Sequence, residues 1–187
     1  MKIKTIDDLS ESKKSEYKKE VFDYQKELTK KLDKTKTQFN QELLNEIVLW
    51  KVNRYALFNS TLINEINTIS SWKVLNKEKT REILTSLLKT KGVQLAMAST
   101  ILRFRNPNIF QIIDQRAYRV INKNETLKLS QIKDTSKATT IDKQINLYLR
   151  YIEQLRIISK DHRIPFNVLD RALYNIDKQI NKSVKLK

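Results

Sequence analysis

Cysteine is absent from the chain, which removes disulfides, thiolate zinc sites and thiolate-held iron–sulfur clusters at once. The single histidine, His162, sits in the polar stretch Lys160-Asp-His-Arg-Ile-Pro165 and reads as an exposed loop residue. One imidazole cannot serve both a Ser/His/Asp triad and a histidine metal site. Neither a metal nor a cofactor is expected. With two prolines and one glycine in 187 residues, the chain lacks the turn punctuation that sheets require. Strict apolar/polar alternation is scarce too, so the expected fold class is all-α. No apolar run approaches the ~18 residues of a membrane span. The N-terminus, Met-Lys-Ile-Lys-Thr-Ile-Asp-Asp, has no signal-peptide core. The expectation is a soluble, cytoplasmic protein with no membrane partner.

Positive charge, by contrast, is abundant. Thirty-seven Lys/Arg against 21 Asp/Glu give a net charge of +16. Residues 1–40 hold 11 basic and 8 acidic residues, leaving 26 and 13 for residues 41–187. The excess therefore belongs to the folded part and not to a tail. Such an imbalance fits a polyanionic partner, the alternative being a lysine-rich surface in a compositionally biased chain. Nucleic acid is favoured over a membrane surface, because no strongly amphipathic basic helix carries Trp or Phe anchors.

Apolar spacing organises the rest. Residues 1–39 read as a charged helical arm, with a helix over 10–38 and sparse apolar positions at Val21, Phe22, Leu28 and Leu32. Such an arm is also the feature that would suit a helical protein-interaction domain. Residues 40–187 form the body. Its first helix, 40–58, directs Leu43, Leu44, Ile47, Val48 and Trp50 inward, and Lys51, Arg54 and Tyr55 share one edge. Trp50 reads either as core or, with Lys51, Arg54 and Tyr55, as the wall of a base pocket. Further helices are predicted over 62–69, 78–89 behind an Asn76 cap, and 95–105. Asn106-Pro-Asn108 breaks the chain, and Ile109–Ile113 is apolar and extended. Asp114 caps a helix to Ile121. A stripe from Ile141 to Leu155 and another from Leu169 to Ile180 complete the set.

The only glycine, Gly92, lies between the helices at 78–89 and 95–105. It reads in two ways: a left-handed helix stop, or a turn that opens backbone N–H groups at a helix start to phosphate oxygens. In the second reading Lys91, Gly92, Val93 and Gln94 grip a DNA backbone without reading its sequence, and Lys89 and Lys91 add counterion release. Twenty-two residues later comes Asp114, the only carboxylate between Glu82 and Glu125. It too has two readings, a helix cap or a functional acid.

Gly92-Val-x-x-x-x-Ala98-x-x-Ile101-Leu102, then the break at Pro107, an apolar run, Asp114, and Arg119 five residues on, resembles the helix-hairpin-helix DNA glycosylase superfamily. The resemblance covers residues 83–121, with the hairpin and acid segment at 78–121. Val168-Leu-Asp-Arg-Ala-Leu-Tyr174 and Leu49-Trp-Lys-Val-Asn-Arg54 are similar to a bacterial branch distinct from the best-known repair enzymes. The resemblance implies a two-lobed helical fold and base-excision repair, with a damaged or modified base flipped into a cleft and released by hydrolysis. It assigns Asp114 as the catalytic carboxylate facing an oxocarbenium-like sugar. Arg103, Arg105, Arg116 and Arg119 would face phosphates, and nearby guanidinium charge would favour the ionised acid. Ala96 stands where lyase-competent members carry a lysine, which implies a monofunctional enzyme without Schiff-base chemistry. Gln94 replaces the second glycine of the hairpin and would be strained if that position needed positive φ. A catalytically inactive DNA-binding protein on the same fold is the alternative.

Overall fold

A computed structural model describes residues 10–12, 25–35, 39–52, 55–122, 127 and 135–185. Among these residues the regular structure is helical, with no strand. The all-α expectation is met. The chain divides into two compact units, Met1–Tyr55 and Ala56–Lys187. The boundary expected near residue 40 therefore falls after Tyr55.

The first unit contains α1 (Lys26–Lys34) and α2 (Gln41–Lys51). Of the sparse apolar positions expected in the arm, Val21 and Phe22 lie outside the described residues. Asn40 caps α2, its side chain accepting from the Leu43 N–H at 2.9 Å. Trp50 Nε1 donates to Thr29 Oγ1 at 2.8 Å, and Gln25 Nε2 donates to the Trp50 carbonyl at 2.8 Å. Leu28 and Leu43 are buried, but Leu44 and Val48, expected inward, are exposed. The reason is partner size. α1 has few apolar residues, so the broad apolar stripe of α2 exceeds what it can cover.

The second unit contains α3 (Ser60–Thr68), a 3₁₀ turn at Ile69–Ser71, α4 (Lys77–Lys89), α5 (Leu95–Arg105), α6 (Gln115–Ile121), α7 (Ala138–Asp161), a 3₁₀ turn at Phe166–Val168 and α8 (Leu169–Ile180). Helix starts follow side-chain chemistry. Asn59 accepts from Leu62 N–H at 2.8 Å, and Asn76 from Lys79 N–H at 3.0 Å. Each such cap is worth about 1 kcal/mol. α4 buries Ile83, Leu84, Leu87 and Leu88, the four residues its periodicity selects, and packs on α5 and α7. Burying one such leucine stabilises by about 1.5–3 kcal/mol. α6 lies against α8.

Residues 109–113 are the unusual part. This non-helical stretch has Ile109, Phe110, Gln111 and Ile113 buried. Buried backbone outside a helix must find other hydrogen-bond partners, and here side chains supply them. Tyr148 Oη donates to the Gln111 carbonyl at 2.9 Å, and Tyr151 Oη to the Ile112 carbonyl at 3.0 Å. Ile112 N–H donates to Asp170 Oδ2 at 3.2 Å, and Ile113 N–H to Ser99 Oγ at 3.2 Å. Burial pushes both phenols well above the usual tyrosine range, which keeps them protonated as donors. The segment is thus fixed from α5, α7 and α8, and it delivers Asp114 to a defined position.

Candidate active site

Asp114 is half-buried at the start of α6. Its Oδ1 accepts from Arg116 N–H at 2.7 Å and Ala117 N–H at 2.9 Å, so the capping role is real. Oδ2 takes no hydrogen bond among the described residues. Asp114 borders a cleft of about 390 Å³ shared with Ile112, Asp170, Arg171, Tyr174 and Asn175. Burial raises its pKa above the ordinary carboxylate value, the two backbone N–H groups offset this only in part, and Asp170 and Asp177 add to the rise. This reverses the expectation that guanidinium charge would favour its ionised form.

The cations meant to do so are engaged elsewhere. Arg116 Nη1 lies 3.0 Å from Asp177 Oδ2, and Arg119 bonds both oxygens of the same carboxylate through Nε and Nη2. Asp177 is fully buried and also accepts from Asn181 Nδ2 at 2.9 Å. Its pKa is held below the usual value, chiefly by Arg119 and then by Asn181 and Arg116.

Arg103 is likewise turned inward. It is buried, its Nε donates to Asp170 Oδ2 at 3.1 Å, and its Nη2 to the Asn167 carbonyl at 3.1 Å. Arg105 stays exposed but caps the end of α3, through Asn67 O at 2.8 Å and Ser70 Oγ at 2.8 Å. All four arginines therefore hold protein groups, where outward phosphate contacts had been expected.

At the hairpin, Gly92 has φ +86°, as the turn requires, with open space where a Cβ would stand. Lys89, Lys91 and Gln94 are exposed, whereas the Val93 side chain is buried. Val93 N–H donates to Thr90 O at 3.1 Å and is not free for a ligand. Gln94 is extended (φ −111°, ψ 169°), so its place in the hairpin carries no strain, and its side chain does not cap α5. The first N–H groups of α5 (Leu95, Ala96, Met97) find no acceptor among the described residues. The Ser99–Ile113 hydrogen bond ties the run into Asp114 to α5 only five residues past Gln94, about 7.5 Å along the helix.

The suggested base-pocket residues belong to the first unit. Trp50, on α2, is half-buried and bonded to Thr29 of α1, Lys51 is exposed, Tyr55 is half-buried, and Arg54 lies outside the described residues. Among the described residues, those bordering the Asp114 cleft come from the second unit.

Tyr174 and Arg171 were not among the sequence candidates. A signal for them exists: Leu169 and Leu173 face inward on α8, which puts 171, 174, 175 and 178 on the opposite face. An aromatic on the polar face of an amphipathic helix invites a functional question.

Among the described residues, no group of three or more His, Cys, Asp or Glu could hold a metal ion, and no helix is long and apolar enough to cross a membrane. No protein-family model, curated protein or solved structure matches the chain.

Proposed function

We propose that this chain is a monofunctional DNA N-glycosylase of helix-hairpin-helix type, hydrolysing the bond between the sugar and a flipped damaged or modified base. The observation carrying the reading is Asp114: a half-buried residue that borders an open cleft and has one carboxylate oxygen committed to the α6 cap. The positive-φ glycine turn supports it, together with the open N–H groups that begin α5. Those groups and the helix dipole suit a phosphate oxygen, and Lys89 and Lys91 stand exposed beside them.

In this mechanism the C1′–N bond breaks with its electron pair leaving on the base, which takes up a proton from solvent, and positive charge builds on the deoxyribose ring. Ionised Asp114 stabilises that charge and orients a water whose oxygen forms the new bond to C1′. The water's proton passes to the carboxylate or to solvent. Tyr174, on the cleft wall, offers a face against which an extruded base stacks. Half the α6 cap and the catalytic group are the same side chain, a compromise that explains why the acid sits partly desolvated. Ala96 carries no amine, so the product is an abasic site without a strand nick.

The test is a panel of lesion-bearing duplexes scored for free base and for alkali-dependent strand cleavage. Release from one or more lesions with an intact strand at neutral pH is expected. Specific, salt-sensitive DNA binding with no release from any substrate would leave the second reading, an inactive DNA-binding protein. That reading has its own support, in the hydrogen bonds that commit Asp114 Oδ1 to the cap.

A further inference from the structure

The second unit contains nine aromatic residues, and among them only Phe104 and Tyr174 are exposed, at 66% and 41%. Tyr174 lines the Asp114 cleft, and Phe104 is linked to it through Arg171. The Arg171 guanidinium lies 6.0 Å from the Phe104 ring centroid, and Arg171 borders the Asp114 cleft together with Tyr174. Arg171 and Tyr174 are three residues apart on α8 and therefore neighbours on its surface. The Tyr174 ring in turn has Arg116 at 5.6 Å and Lys178 at 5.8 Å. Cation and aromatic alternate along one edge: Phe104, Arg171, Tyr174, Lys178.

The charge on this face is sorted. Residues 169–185 contain two acids, Asp170 and Asp177, and both are buried against arginines. The cations of the same stretch, Arg171, Lys178, Lys182 and Lys185, are all exposed. The outward surface is thus basic with its negative charge withdrawn into the protein. Duplex DNA offers phosphates to such a surface but keeps its base faces stacked away. Unpaired nucleotides offer both, and stacking on exposed aromatics flanked by cations is the mode by which single strands are held.

We infer that the edge formed by Phe104 of α5 and Tyr174 of α8 is a stacking platform for unpaired nucleotides, and that its partner is single-stranded DNA, including a strand opened beside the cleft. The inference rests on the nucleic-acid part of the proposed function and not on turnover at Asp114.

The test is fluorescence anisotropy with labelled oligo-dT and with a blunt duplex of equal length, over a range of salt. The wild-type chain should prefer oligo-dT. Phe104→Ala and Tyr174→Ala should each weaken oligo-dT binding by about tenfold, with little change in salt slope. Phe104→Trp should retain affinity, and circular dichroism checks that the variants fold. Arg171→Gln and Lys178→Gln should each flatten the salt slope by about 0.7. Equal binding of oligo-dT and duplex, or alanine variants that hold oligo-dT like the wild type, would overturn the inference. A preparation that grips oligo-dT through these aromatics yet releases no base supports the platform and counts against the glycosylase reading alone.

Discussion

Asp114 and Asp177 both deal with α6, one through its backbone and the other through its side chains, and their surroundings push them in opposite directions. Asp177 is enclosed by Arg116, Arg119 and Asn181 and is held below the ordinary carboxylate pKa. Asp114 receives two backbone N–H groups, loses solvent, and is raised above it. Two arginines within five residues of Asp114 in sequence are thus given to a carboxylate on another helix. A buried acid with matched donors holds two helices together. A half-buried acid beside open space, short of compensating charge, is the arrangement found where chemistry is done. Proximity in sequence said which groups were near; only packing decided which acid the cations would serve.

The largest effect should come from the buried side of this contrast. Arg103→Met leaves Asp170 buried without its guanidinium, and loss of one partner from such a pair costs about 3–5 kcal/mol. Chemical denaturation should report that loss. A cost below ~1 kcal/mol would mean that Asp170 draws little from Arg103 and that the fixing of segment 109–113 has been misread.

Acid titration separates the two acids next, because they carry opposite signs. Asp177 is depressed in the fold, so it contributes stability above its unfolded value near pH 4, lost as pH falls through the lower folded value. Asp114 is raised, so its contribution is present below the unfolded value and lost as pH rises through the folded one. Asp177→Asn should therefore destabilise at pH 7 and lessen the further loss on acidification below about pH 4. Melting temperatures from pH 7 down to pH 3 check this. A parallel fall in wild type and variant across that range would remove Asp177 as the source.

The smallest effect concerns the hairpin. Gly92→Ala meets no atom but must hold φ +86°, a strain of about 1–2 kcal/mol. If the turn also grips phosphate, duplex affinity falls beyond what the stability loss explains. Unchanged affinity with that stability cost would reduce Gly92 to a helix stop.

Much of the helical layout was legible in the sequence. Leu95–Arg105, the Asn76 and Asp114 caps, and the inward residues of α4 follow from periodicity and capping chemistry, which are local. What was not legible is long-range. Arg103 joins Asp170 across 67 positions and Arg119 joins Asp177 across 58, and nothing local marks those pairings. The apolar stripe of α2 misled for a related reason, since periodicity indicates a face and not whether a partner covers it. Tyr174 was hidden by its own helix pattern, which draws attention to Leu169 and Leu173 and away from the opposite side.

Whether the carboxylate at the head of α6 works as an acid or only as a cap is decided by Asp114→Asn. Asparagine caps a helix about as well as aspartate and carries no charge to desolvate, so unfolding free energy at pH 7 should be equal to or above that of the wild type. Single-turnover base release should meanwhile fall by a factor on the order of 100 or more. A D114N protein that releases base at the wild-type rate would contradict the account.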